Sequence, residues 1–147
     1  MAVKAKGWAH SFPMSKNVRA GRDWTREHLK SLPWAAAEPQ TVDAIVLAVS
    51  ELITNAHIHA HSDAHLVLTW DGDCLHVSVH DEDPTLPLHR EPDPAAVSGR
   101  GMAIVKTLAD EWGVRCQRQG KTVTACFRPA EADPGVDPDV DPDRRPG

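Results

Sequence analysis

Between residues 41 and 60 apolar side chains recur at helical spacing: Val42, Ile45, Val46, Val49, Leu52, Ile53 and Ala56 fall three and four apart. Thr41 stands where an N-cap is wanted. Ala44, Leu47 and Ala48 spread apolar surface round the rest of the cylinder, so this segment predicts a helix buried over much of its circumference. The period then drops to two. AHLVLTW (64–70) and CLHVSVH (74–80) alternate as strands do, and Asp71-Gly72-Asp73 between them reads as a hairpin loop.

Upstream, GWAHSFPM predicts a short strand, and Ser15 is a candidate cap for a helix that ends before Pro33. Its apolar stripe is rough (Val18, Trp24, Leu29, Leu32), and Lys16, Arg19, Arg22, Arg26 and Lys30 read as a solvated cationic face. Downstream, DEDPTLPLHREPDPAAVSGRG is too rich in proline, acid and glycine for a regular element, and at about 20 residues it is long enough to suspect function. Helical periodicity resumes through Met102, Ile104, Val105 and Leu108, with Gly113 as the expected end. VRCQRQ and KTVTACF flank Gly120 as a second hairpin. The order β-α-α-β-β-loop-α-β-β predicts an α+β two-layer sandwich, with helices on one face of a mixed, mostly antiparallel sheet.

Composition narrows the class. A chain of 147 residues suits one domain with one core. We place that domain at residues 7–129 and read 130–147 as a disordered acidic tail, because its Asp-Pro repeats offer almost nothing to bury. The net charge is −5, and residues 131–147 hold six acids against two arginines, which leaves about −1 elsewhere. Such a balance argues against direct nucleic-acid binding. Three cysteines, widely spaced and without a CxxC pair, argue against a zinc ribbon or a disulfide framework and suit a reducing, cytoplasmic setting. Cys74 and Cys126 read as small buried hydrophobes. The first ten residues lack the apolar stretch of a signal peptide, and no run approaches 18 apolar residues, so no membrane span is expected.

The candidate chemistry centres on ELITNAHIHAH (51–61). Glu51 and Asn55 are four apart and therefore share a helix face. On a helix so apolar, a carboxylate should be paired, protonated or functional. The pair suits phosphoryl transfer, since an amide oxygen ligates Mg²⁺ and a carboxylate accepts a proton from a nucleophilic hydroxyl; by itself the spacing equally fits a hydrogen-bonded structural pair. His57 and His61 are the one i, i+4 histidine pair in the run, but without HExxH they read as solvent-exposed, with His59 packed nearby. Asp81 follows a strand, placed to accept from an exocyclic amine such as that of adenine. The run Gly99, Arg100, Gly101, Met102 opens a helix, where backbone N–H groups favour phosphate.

In this order the segments resemble the Bergerat-fold ATP-binding domain of the GHKL superfamily, and most of all the single-domain anti-sigma-factor serine kinases. The resemblance covers roughly residues 10–128. ELITNAHIHA matches the N box, VHDEDP the G1 box, GRGMAIVKTLADEWG the G2 box with its helix, and GKTVTACF the closing strand. It implies ATP and Mg²⁺ as cofactors, Glu51 as catalytic base and Asn55 as the Mg²⁺ ligand. It further implies Asp81 on the adenine amino group, Gly99, Arg100, Gly101 and Met102 along the phosphates under a lid, and Thr122 supporting the adenine pocket. His59 becomes the N-box histidine with a structural role, whereas His57 and His61 have none assigned. The implied partners are a sigma factor and an anti-anti-sigma (STAS-type) protein carrying the acceptor serine, with a homodimer as a further assembly.

Two departures stand out. Where the G1 box commonly has glycine, two residues after its aspartate, this chain has Asp83, and the lid between Pro84 and Ser98 is short and proline-rich. Binding is thus better supported than turnover, and the competing function is a non-catalytic interaction regulator that retains the ATP-binding fold. A histidine-kinase catalytic fragment fits less well, because the chain has no dimerisation and phosphoacceptor helices.

Overall fold

The structure, a computed structural model, describes residues 5–15, 17–82 and 99–130. Strand β1 (Lys6–Phe12) leads to helix α1 (Val18–Leu29), a 3₁₀ turn (Ala35–Ala37) and helix α2 (Pro39–Thr54), which runs on into a π turn (Asn55–His59). Strands β2 (Ala64–Trp70) and β3 (Leu75–Asp81) follow, then helix α3 (Gly99–Leu108) and strands β4 (Glu111–Gln117) and β5 (Gly120–Phe127). The five strands form one sheet in the order β1-β2-β3-β5-β4, and every pairing is antiparallel. An α+β two-layer sandwich is therefore what the chain builds, with no parallel pair among the described strands.

Strand alternation makes the core. Ala64, Leu66, Leu68 and Trp70 on β2, Leu75, Val77 and Val79 on β3, and Val123, Ala125 and Phe127 on β5 are buried toward the helices. Against them lie Ile45, Val49, Leu52 and Ile53 of α2, Met102 and Val105 of α3, and Leu29 of α1. Each large side chain so buried stabilises the fold by about 1.5–3 kcal/mol. Helix α1 approaches α2 at Gly21, where a Cβ would overlap Ile53 Cδ1. The stretch Pro39–Ile58, 20 residues, is long and apolar enough to cross a bilayer by length and composition, contrary to the expectation of no such run. Here it is the core helix, lying between α1, α3 and the sheet.

Several boundaries differ from the expected ones. The α1 cap is Asn17, not Ser15: its backbone is extended and its Oδ1 accepts from Ala20 N at 3.3 Å. Helix α2 starts two residues before Thr41, because Pro39 suits the first turn, where its missing N–H is not needed. Thr41 Oγ1 donates instead to Glu38 Oε1 at 2.9 Å. Gly113 does not end α3 but lies within β4; the helix stops at Leu108, and Asp110 N already donates to Cys126 O at 2.8 Å, which draws the chain into the sheet.

The first hairpin is closed by a side chain. Asp71 Oδ1 accepts from the backbone N–H of Cys74 (2.8 Å) and Asp73 (2.9 Å), and Gly72 takes φ +97°. The Cys74 hydrogen bond foremost, with help from His76, holds the Asp71 carboxyl down at about 2. Cys74 and Cys126 are buried as expected, their thiols 2.8 Å apart, and burial first, then Cys126, pushes the Cys74 thiol up to about 12. Residues 131–147, including the expected disordered tail, lie outside the described residues.

Candidate functional site

The C-terminal end of α2 carries two polar side chains that the fold leaves open. Asn55 is only 4% exposed, yet its Nδ2 has no hydrogen-bond partner among the described residues. An unpaired buried amide costs about 1–3 kcal/mol unless a ligand satisfies it. The amide keeps its shape when oxygen and nitrogen exchange places, so this open end serves as donor or as acceptor. Glu51, one turn earlier and half-buried, makes no side-chain hydrogen bond or ion pair among the described residues. The two residues are joined only through the backbone, Asn55 N donating to Glu51 O. A structural pair would have bonded side chain to side chain, and this one does not.

At Asn55 the helix widens. Ala60 N reaches back five residues to Asn55 O (3.1 Å), Ser62 N bonds Ala56 O (3.0 Å), and His61 turns the chain with φ +51°. His57 corrects the expectation of an exposed side chain: it is buried, and its Nε2–H donates to the Phe12 carbonyl at 2.8 Å, fastening the π turn to β1. The sequence signal missed was the pitch, since residue 57 faces solvent or core depending on how wide the turn is. His61 is exposed as expected, and the side chain of His59 lies outside the described residues. No group of three or more His, Cys, Asp or Glu side chains among the described residues is placed to hold a metal ion.

The second half of the site is the end of β3. Ser62 Oγ accepts from Glu82 N at 2.8 Å, which ties the exit of the π turn to the residue after Asp81. Asp81 is 4% exposed, and Lys121 Nζ donates to its Oδ2 at 2.6 Å. The two are directly opposed across the β3–β5 ladder. Beside them Gly120 adopts φ +99°, and any Cβ there would overlap the Asp81 carbonyl and come within 2.9 Å of Glu82 Cα. Only glycine serves at that turn, because both the dihedral and the close approach exclude a side chain.

Thr122 is placed elsewhere. It is opposed to His80, its Oγ1 lying 3.0 Å from His80 Nδ1 and donating to Gln117 Oε1 at 2.9 Å. With a period of two, that puts it on the face of the sheet away from the helices, and the residue beside Asp81 is Lys121. This was readable from the sequence: if Val123, Ala125 and Phe127 face the core, so does residue 121. Met102 is fully buried in the core. Gly99, Arg100 and Gly101 form the first turn of α3, which packs along α2; their side-chain surroundings, with Asp83 and the lid 84–98, lie outside the described residues.

A helix-backed antiparallel sheet with an open amide and carboxylate on its core helix, and a buried aspartate at a strand end, is a two-layer arrangement suited to a nucleotide. Residues 14–127 match the histidine kinase-like ATPase domain family, most of the chain, and the chain belongs to it. ATP binding is the property that membership carries. No curated protein matches the sequence. The residues present fit such a ligand: the open Asn55 amide suits a phosphate-bound cation or a phosphate oxygen, and Asp81 suits an amine.

Proposed function

We propose that the chain binds Mg²⁺-ATP at the end of α2 and transfers the γ-phosphoryl group to a serine of a protein partner, in the manner of an anti-sigma-factor kinase. The observation that carries this reading is the pair Glu51 and Asn55, one turn apart on a core helix, with the Asn55 Nδ2 and the Glu51 carboxylate unbonded among the described residues. Asn55 would hold the magnesium ion, whose charge offsets that of the phosphates. Glu51 accepts the serine proton as the serine oxygen bonds to the γ-phosphorus and the bond to the β–γ bridging oxygen breaks. Asp81 fixes the base, and the first turn of α3 supplies backbone N–H groups to the phosphates. The partners are a sigma factor, which the chain sequesters, and a STAS-type anti-anti-sigma protein, which carries the serine.

The test is phosphotransfer from labelled ATP to such an acceptor, beside calorimetric titration with ATP and ADP with and without Mg²⁺. Glu51→Gln should keep the fold within about 0.5 kcal/mol, since the Glu51 side chain makes no hydrogen bond or ion pair among the described residues, and lose at least about a hundredfold in transfer. Asn55→Ala should abolish the Mg²⁺ enhancement of binding. Partner binding indifferent to nucleotide and to Glu51→Gln would instead select the non-catalytic regulator.

A further inference from the structure

The inner face of the β3–β5 ladder is apolar rung by rung: Leu75 opposite Phe127, Val77 opposite Ala125, Val79 opposite Val123. At the next rung it carries Asp81 opposite Lys121, with side chains 5% and 12% exposed and their charged atoms 2.6 Å apart. Withdrawing two charges from water costs several kcal/mol per ion, and an apolar pair of similar size usually serves stability as well or better. Packing therefore gives no reason for an ion pair at this rung. The reason lies in what the pair offers a ligand. An ammonium carries three N–H donors, so the bond to Asp81 does not exhaust Lys121.

We propose that Lys121 is a specificity-determining residue for the nucleobase: Asp81 accepts from the exocyclic amine while Lys121 Nζ donates to a ring nitrogen flanking it. This rests on the nucleotide reading above. The 6-amino group of adenine is a donor between two acceptors, N1 and N7, so an acceptor and a cationic donor side by side match that edge. A base with a carbonyl at this position sets oxygen against the Asp81 carboxylate. Gly120 contributes by letting the β5 backbone close onto the Asp81 carbonyl, which holds Lys121 opposite Asp81.

The experiment titrates wild type and Lys121→Met with ATP, 1-deaza-ATP and 7-deaza-ATP in Mg²⁺, with thermal unfolding of each protein as the control for folding. Wild type should bind one of the two deaza analogues about tenfold more weakly than ATP. Lys121→Met should bind ATP more weakly by a similar factor and no longer distinguish that analogue. Lys121→Thr, too short to reach the base, carries the same comparison if the methionine variant does not fold. Wild type binding all three alike, or a variant that keeps the wild-type preference, overturns the proposal and leaves Lys121 a counter-charge only. Failure of folded wild type to bind ATP at all would instead remove the nucleotide reading, and this proposal with it.

Discussion

The two faces of the β3–β5 ladder carry polar groups for different reasons. On the open face His76, Ser78 and His80 stand opposite Cys126, Thr124 and Thr122, and the polar groups there bond locally: His76 to Asp71 at 2.9 Å, His80 and Gln117 to Thr122. Water reaches that face, so polarity is the default and says little about function. On the helix-covered face three apolar rungs precede a single charged one, Asp81–Lys121. A polar group is informative where burial makes it expensive.

The comparison can be tested by substitution. Leu68→Ala, on the covered face, should lower unfolding free energy by about 2–5 kcal/mol in urea titrations, whereas Thr124→Ala, exposed on the other, should stay within about 0.5 kcal/mol. Similar losses at both would mean the open face is packed against something. Gly120→Ala should cost about 2 kcal/mol or more, because a Cβ meets the Asp81 backbone at positive φ. Gly113→Ala is the control, its added Cβ in ordinary contact with Thr124 Oγ1 at 3.6 Å. The smallest effect concerns Asp71. Its carboxyl is held at about 2, below the ordinary 3.8, so the folded chain gives up this proton more readily than the unfolded one. The stabilisation is present above the ordinary value and is lost as pH falls toward about 2. Asp71 is 47% exposed, so screening keeps the amount below about 1 kcal/mol. The stability gap between wild type and Asp71→Ala should narrow from about pH 5 to about pH 2, and a gap that widened would contradict the assignment.

How far the sequence foretold this molecule differs by scale. Element order and sheet class followed from periodicity, because a buried helix and alternating strands leave a pattern that no single residue can erase. Glu51, Asn55 and Asp81 stood out for the same reason, as polar residues on apolar elements. Element ends did not follow: Ser15, Thr41 and Gly113 are acceptable punctuation, and the choice fell to Asn17, Pro39 and the Asp110–Cys126 contact, which depend on neighbours distant in the chain. His57 was misjudged because a π turn shifts the register by one residue, and nothing local announces it. Thr122 stands opposite His80, and it is its neighbour Lys121 that stands opposite Asp81, a single step that in a strand exchanges one face for the other.

The Asp81–Lys121 rung also has a place in the history of each molecule. β2–β3 and β4–β5 are local hairpins that can close by themselves within microseconds. β3 and β5 are joined across 40 residues at this rung, a slower event burdened by loop entropy. The rung belongs to neither hairpin alone, since it sits on the seam where they meet. A chain arrested with both hairpins formed would show most of its strand content and lack the rung proposed above to hold the base, so on that proposal nucleotide affinity would report the completion of folding rather than its onset.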